Sequence, residues 1–291
     1  MTGPNHVAPP EHSIDPAELS PESFARFARF ITSELGIKMP ESKVTLVQSR
    51  LLRRVRDLRL ESVDQYGEYF FTSSSSEERE HFINAITTNK TDFFREPEHF
   101  AYLADVVLPA VSLAAFRGGA RFTAWSAGCS SGEEPYTLAM VLAEYASRRP
   151  GFDFAILGTD ISTKVLSCAR SGIYQEPQIL PVPPEFRKKY LRRGRNNTER
   201  LARVVPELRR KVSFHQLNFM AGDYGIKDVF DVVFFRNVMI YFDRTTQEEV
   251  INKICRNLAP GGYLFAGHSE SLAGLDVPLK PLKSSVYFKP A

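Results

Sequence analysis

Gly128-Cys129-Ser130-Ser131-Gly132-Glu133-Glu134 decides how this chain is read. Arg121–Ser126, just before it, reads as a strand, and Glu133–Ser147, just after it, reads as a helix. A strand, a glycine-bearing loop (Ala127–Gly132) and a helix make the repeating unit of an open α/β sheet. The same order recurs downstream, with a strand at Phe154–Gly158 running out to Asp160 and a helix at Thr163–Ser171. Further strands are expected at Val212–Leu217, Asp231–Phe235, Tyr263–Ala266 and Val286–Phe288, and a helix at Thr245–Leu258. Alternation of this kind predicts a parallel sheet with its binding site at the strand carboxyl ends.

Three chemistries compete for the loop. Taken literally it matches G-x-S-x-G, the nucleophile elbow of serine hydrolases, and Ser130, Asp231 or Asp243, and His268 even follow in the right chain order. Context opposes this, because an elbow comes after several strands and everything before Arg121 looks helical. A phosphate loop fails on both fingerprints, G-x-G-x-x-G and Gly-Lys-Ser/Thr. Glu133 and Glu134 would also repel phosphate from the helix N-terminus. The third candidate is S-adenosylmethionine, which carries a sulfonium and an ammonium and no phosphate, so acidic side chains beside a tight turn suit it. Asp160, ending the second strand, is placed to accept from ribose hydroxyls. Ordinary complementation of the helix dipole explains Glu133 and Glu134 equally well, and on these residues alone the two explanations stand level.

Upstream, the pattern is helical. Ser20 and Pro21 open a helix that carries Phe24, Phe27, Ile31 and Leu35 on one face and ends at Gly36. A second, about Ser42–Leu60, bears the stripe Val44, Val47, Leu51, Val55 and Leu58, and shorter pieces follow at Val63–Phe71 and Glu77–Thr87. A further helix is expected from Glu98 to about Phe116, leading through Gly118-Gly119 to the first strand. Residues 1–19 are expected to be a disordered tail, with four prolines before Ser20 and no apolar core of a signal peptide.

The chain has 291 residues, 43% hydrophobic and 24% charged, a globular balance, with a net charge of only +3. Three cysteines without a CxxC pair oppose a disulfide framework and a zinc ribbon and fit a reducing, cytoplasmic setting. No apolar stretch reaches the roughly 20 residues of a bilayer span, so no membrane insertion is expected. Six histidines without HxH or HExxH spacing give no expectation of a metal.

Several segments in order resemble the chemotaxis receptor glutamate methyltransferases of the CheR type. They are Asn89-Lys90-Thr91-Asp92-Phe93-Phe94-Arg95, Ser131-Gly132-Glu133-Glu134-Pro135-Tyr136, Thr159-Asp160-Ile161, Ser171-Gly172-Ile173-Tyr174, Phe235-Arg236-Asn237-Val238-Met239-Ile240-Tyr241-Phe242, Pro260-Gly261-Gly262-Tyr263-Leu264 and Gly267-His268-Ser269-Glu270. The resemblance implies an all-α N-terminal domain (20–88) that docks substrate and a linker (89–97) that contributes to the active site. It also implies a Rossmann-like class I S-adenosylmethionine-dependent methyltransferase domain (98–291) with a small β-subdomain inserted at about 185–211. The turn Arg193-Gly194-Arg195-Asn196-Asn197 is more basic and less glycine-rich than in family members that tether to a receptor's C-terminal peptide, which leaves tethering open.

The implied reaction moves a methyl group from sulfonium to a glutamate γ-carboxylate, giving a methyl ester and S-adenosylhomocysteine. Glutamate is ionised at neutral pH, so no general base is required. Arg95 is expected to grip the carboxylate bidentately and to touch the cofactor, and the resemblance assigns Tyr241 to the rim where the methyl group passes. Asn89, Thr91, Glu134, Asp160, Asn218, Phe219, Arg236 and Asn237 are expected around the cofactor. Phe93 and Phe94 are expected to pack the two domains together, and His268-Ser269-Glu270 to be structural, since neighbours on an extended chain face opposite ways.

Arg50, Arg53, Arg54, Arg56 and Arg59 lie opposite the apolar stripe of the second helix, offset only by Asp57. A solvated face is the plain explanation. The resemblance sharpens it to docking of an acidic partner, the cytoplasmic signalling domain of a membrane chemoreceptor. Between Arg187 and Lys211 stand eleven Arg/Lys and two Glu, a second basic surface. A nucleic-acid methyltransferase would compete for this charge, but no Asn/Asp-Pro-Pro-Tyr/Phe signature follows the fourth strand, and nucleic acid is not expected.

Overall fold

A computed structural model describes residues 19–115, 121–194 and 200–290 of the chain. The predicted tail (save Leu19), Gly118-Gly119 and most of the Arg193–Asn197 turn fall outside them. The chain forms two compact units, one running up to Phe30 and again over Met39–Ile86, the other comprising Ile31–Lys38 and everything from Thr87 onward.

The helical unit is built from the part of α1 (Pro21–Leu35) up to Phe30, with α2 (Val44–Asp57), α3 (Val63–Ser73) and α4 (Ser76–Ile86). Ser20 caps α1 as predicted, its Oγ accepting from Ser23 N at 3.2 Å, and Gly36, at φ +69°, lets the chain leave it. The core is aromatic, with Phe82 stacked on both Phe27 and Phe70 and the Phe70–Phe82 centroids 4.4 Å apart. Val47, Leu51 and Val55 of α2 are buried, as the stripe required. The second helix starts later than predicted, because Glu41–Lys43 forms a 3₁₀ turn ahead of it.

The larger unit continues with α5 (Pro97–Tyr102), a π-helical turn (Leu103–Val107) and α6 (Leu108–Ala115), so the single helix expected there has a bulge in its middle. Then come β1 (Phe122–Ala127), α7 (Glu133–Ser147), β2 (Phe154–Asp160), α8 (Thr163–Ser171), β3 (Ile173–Gln175), α9 (Glu176–Ile179), α10 (Pro184–Tyr190), β4 (Leu191–Arg193), β5 (Leu201–Val204), α11 (Pro206–Arg209) and β6 (Val212–Gln216). The last elements are β7 (Phe230–Phe235), a 3₁₀ turn (Met239–Tyr241), α12 (Arg244–Arg256), β8 (Leu258–Ala266), β9 (Lys280–Lys283) and β10 (Val286–Phe288).

Seven strands form one sheet in the order β6-β2-β1-β7-β8-β10-β9. Five are parallel, as predicted, while β10 pairs antiparallel with both β8 and β9, a departure from the all-parallel expectation that makes the sheet mixed. Consecutive residues of the central strands feed opposite cores. Ala124, Ile156, Val232 and Phe234 lie in one cluster, and Trp125, Leu157, Val233 and Phe235 in the other. Burial on both faces explains why these strands read as continuous apolar runs. The far edge, β9, is exposed along its whole length.

Sequence order reverses between β1 and β7, which pair in parallel with Ser126 opposite Phe234. Such a switch point is where open sheets bind ligands. A separate three-stranded antiparallel sheet, β3-β5-β4, holds the basic insertion and draws its first strand from Ile173, well ahead of residue 185. Among the described residues no helix is long and apolar enough to cross a membrane, and all three cysteines are free.

Candidate active site

At the carboxyl end of β1 the chain turns through three left-handed residues, Gly128 (φ +82°), Ser130 (φ +49°) and Gly132 (φ +97°). Two of them have to be glycine. A Cβ on Gly128 would stand 2.5 Å from Val238 Cγ2, and one on Gly132 2.9 Å from Ala169 Cβ and from the Tyr174 hydroxyl. Ser130 has no such freedom and is held in place from both sides. Its N–H donates to Asp160 Oδ2 at 2.9 Å, and its hydroxyl donates to the Asn89 carbonyl at 2.8 Å. The hydroxyl therefore has no histidine partner, and His268 pairs instead with Glu98. The hydrolase reading has no triad.

Asp160 is 7% exposed and accepts a second N–H, from Ser162 at 3.0 Å. Burial pushes its carboxyl up, against the pull of these backbone donors. It organises the loop as well as facing the switch point. Glu133 is buried beneath the loop, taking the Ser131 hydroxyl at 2.7 Å and Gln178 at 3.4 Å. Glu134 is pushed up by burial too, although Arg236 and Ser126 oppose the shift. Its oxygens accept from Ser126 Oγ at 2.7 Å and Arg236 Nη1 at 3.0 Å.

Arg236, at the end of β7, is 6% exposed and is the hub of the charged wall. Its Nη2 reaches Glu96 at 3.0 Å and the Arg95 carbonyl at 2.5 Å, and its plane lies over Phe100 and Phe234. Burial would raise the Glu96 carboxyl, but Arg236 outweighs this and holds it low. Next to them His99 is pushed down to about 4, first by burial and then by Arg236. Asn237, at φ +59°, gives its N–H to Glu270 at 2.7 Å. Glu270 also accepts from Gly267 at 2.7 Å and Ile240 at 3.3 Å, tying the ends of β7 and β8 together. His268-Ser269-Glu270 therefore includes a structural staple, as expected.

The linker bends through two further left-handed residues, Phe94 (φ +54°) and Glu96 (φ +55°). Phe93 packs on Tyr174, and Phe94 on Phe100 and Phe186. These partners all lie in the larger unit, so the two rings fasten the linker to it. Arg95 is half-buried, bonds the Lys90 carbonyl at 3.2 Å, and makes no ion pair among the described residues. Thr91 is half-buried, and Asn89 lies over the loop through the Ser130 bond.

Two expected cofactor contacts have other work. The Asn218 side chain donates to the Glu34 carbonyl at 2.7 Å and accepts from Met220 N at 2.9 Å. Phe219 is 8% exposed, among Phe235, Tyr224 and Trp125, and is core. Tyr241 is half-buried in its 3₁₀ turn, its carbonyl accepting from Lys38 N at 2.9 Å.

The five arginines divide in the same way, four on α2 and Arg59 just beyond its end, since the helix stops at Asp57 and Arg59 is left-handed at φ +57°. Arg54 is locked onto buried Glu78, with Nε–Oε1 3.1 Å and Nη2–Oε2 2.5 Å, and Tyr66 donates to the same carboxylate at 2.8 Å. Arg50 bonds the Ile86 carbonyl. Arg53, Arg56 and Arg59 are exposed. Of the five arginines expected to dock a partner, these three are exposed, while Arg50 and Arg54 brace the helical unit.

The loop and wall fit the sulfonium cofactor. Two backbone positions exclude even a Cβ, and buried carboxylates outnumber the one buried guanidinium. Glu96 and Glu270 went unremarked in the sequence as parts of this wall. The one signal was the run of charge around Arg95, with its partners more than 130 residues away.

Comparison with known proteins agrees. Residues 22–87 match the family model described as CheR methyltransferase, all-alpha domain, and residues 89–288 match CheR methyltransferase, SAM binding domain. The chain is 41% identical over 258 residues to a chemotaxis protein methyltransferase of Escherichia coli (strain K12), covering 89% of this chain and 87% of that one. It is 40% identical over 270 residues to chemotaxis protein methyltransferase 2 of Pseudomonas aeruginosa, covering 91% and 92%.

Proposed function

The chain belongs to the CheR methyltransferase family, and on that premise we propose that it methylates glutamate γ-carboxylates on the cytoplasmic signalling domains of chemoreceptors. The observation that carries the substrate reading is Arg95, a half-buried residue whose carbonyl meets Arg236 at the end of β7 and whose guanidinium has no carboxylate partner among the described residues. A planar fork of this kind is suited to a carboxylate.

When bound, S-adenosylmethionine supplies a methyl group on a positively charged sulfur. Asp160, Glu134, Asn89, Thr91, Arg236 and Asn237 are the residues we assign to holding it, with Asn218 and Phe219 contributing backbone alone. Glu134 and Asp160 provide negative potential for the sulfonium and ammonium. Arg95 holds the glutamate, already ionised at neutral pH, and Tyr241 borders its approach. Orientation and exclusion of water are the protein's contribution, and no base is called for.

The test is incubation with methyl-labelled cofactor and purified receptor signalling domains, followed by alkali. Label released as methanol identifies the ester, and alkali-stable label overturns the reading. Arg95→Ala should lower ester formation about a hundredfold or more with the fold intact. Wild-type turnover in that variant would remove its assigned role.

A further inference from the structure

One carboxylate of the charged wall and two histidines next to it converge, and none of the three has been assigned a task in methyl transfer. Glu96 and His99 stand one turn apart at the start of α5, and His268 follows β8. One carboxylate oxygen and two ring nitrogens from these residues all lie within 4.8 Å of one another. We propose that Glu96, His99 and His268 bind a divalent transition-metal ion of the zinc class.

The strongest support is His99. It is 2% exposed, yet neither ring nitrogen has a hydrogen-bond partner, a condition few buried polar groups in folded proteins are left in. Its Nδ1 faces Glu96 Oε2 at 3.4 Å. Two ligand atoms on a tetrahedral zinc, with bonds of about 2.0–2.1 Å, stand about 3.3–3.4 Å apart, so this pair already has the spacing of ligands around an ion. His268 Nε2 is 3.9 Å from the same oxygen. Its side chain is 47% exposed, so the ring can turn the remaining fraction of an ångström and gives the ion a way in from solvent.

Glu96 and Glu134 flank the Arg236 guanidinium, so the three groups together carry one net negative charge. Glu98 Oε1 pairs with His268 Nε2 at 2.5 Å, closer than two ligands of one ion stand, so an ion displaces that pair when it binds. Arg236 Nη2 donates to Glu96 Oε2 at 3.0 Å and Asn237 Nδ2 to Oε1 at 3.5 Å, which fixes the orientation of the Glu96 carboxylate, as hydrogen bonds to metal-bound carboxylates do. Two imidazoles and a carboxylate select zinc, cobalt or nickel over magnesium or calcium. A bound ion would join the linker to the loop after β8 on either side of Arg236 and stiffen the wall that carries Arg95.

The experiment uses the full-length protein, free of any affinity tag and stripped with chelator, titrated with Co²⁺ by visible absorption and with Zn²⁺ by calorimetry. One ion per chain is expected, with the intense bands of cobalt in a low-coordinate site and a metal-dependent rise in melting temperature. His268→Ala, an exposed position that leaves the core untouched, should weaken binding about tenfold or more and abolish the rise. A His6→Ala, His12→Ala, His215→Ala variant should keep both. A cobalt spectrum no different from the aqueous ion, or wild-type affinity in His268→Ala, overturns the proposal. Loss of binding in the triple variant, pointing to adventitious histidines, overturns it as well.

Discussion

Ser130 stands in a loop whose sequence matches a nucleophile elbow, a reading that the helical pattern upstream already opposed. The serine sits where a nucleophile would, in the strained conformation an elbow uses, yet its hydroxyl is bound to a linker carbonyl and its N–H to a carboxylate. Strain at this loop serves close backbone approach. Asp160 carries the measurable consequence. Its carboxyl is raised by burial, so it protonates on acidification sooner than an exposed aspartate. Cofactor affinity of the wild type should therefore fall as pH drops below neutral, while Asp160→Asn should be weaker by about 1.5–3 kcal/mol and flat with pH, as calorimetry across that range would read. The stability linkage has the opposite sense. A folded pKa above the unfolded value contributes stability that is present below the unfolded pKa and lost as pH rises through the folded one.

At the scale of elements, α7 and α8 were legible to the residue, because a glycine turn or a serine cap marks their starts. The central strands were legible because burial on both faces makes them apolar throughout. The small sheet was not. β3, β4 and β5 span three or four residues each, too short for a period of two to stand out among arginines. On α2, periodicity located the apolar stripe but could not separate arginines that brace from those that face solvent. Removing Arg54 leaves Glu78 buried without its cation, so Arg54→Ala should cost about 3–5 kcal/mol in the helical unit. Arg53→Ala should stay within about 0.5 kcal/mol. Urea unfolding of both variants distinguishes the two roles.

For the whole molecule, what sequence could not supply was distance along the chain. Glu96 meets Arg236 across 140 positions and His268 across 172, and local spacing carries no trace of such partners. The motifs named the neighbourhood of the site, and the topology brought its two sides together. Docking is the property that belongs at this scale. Exchanging Arg53, Arg56 and Arg59 together for glutamine should lower receptor methylation and flatten its dependence on salt, with cofactor affinity unchanged. A change confined to cofactor affinity would rule out that face.

The far margin of the larger sheet has its own bearing on how the protein lives in a crowded cell. β9 offers Lys280, Pro281 and Lys283 along an exposed strand, and a missing N–H with two like charges is a poor template for another chain. Replacing those three by threonine should produce concentration-dependent self-association in sedimentation while the catalytic end stays as it was. An enzyme can thus finish its sheet in the open and still refuse to recruit copies of itself.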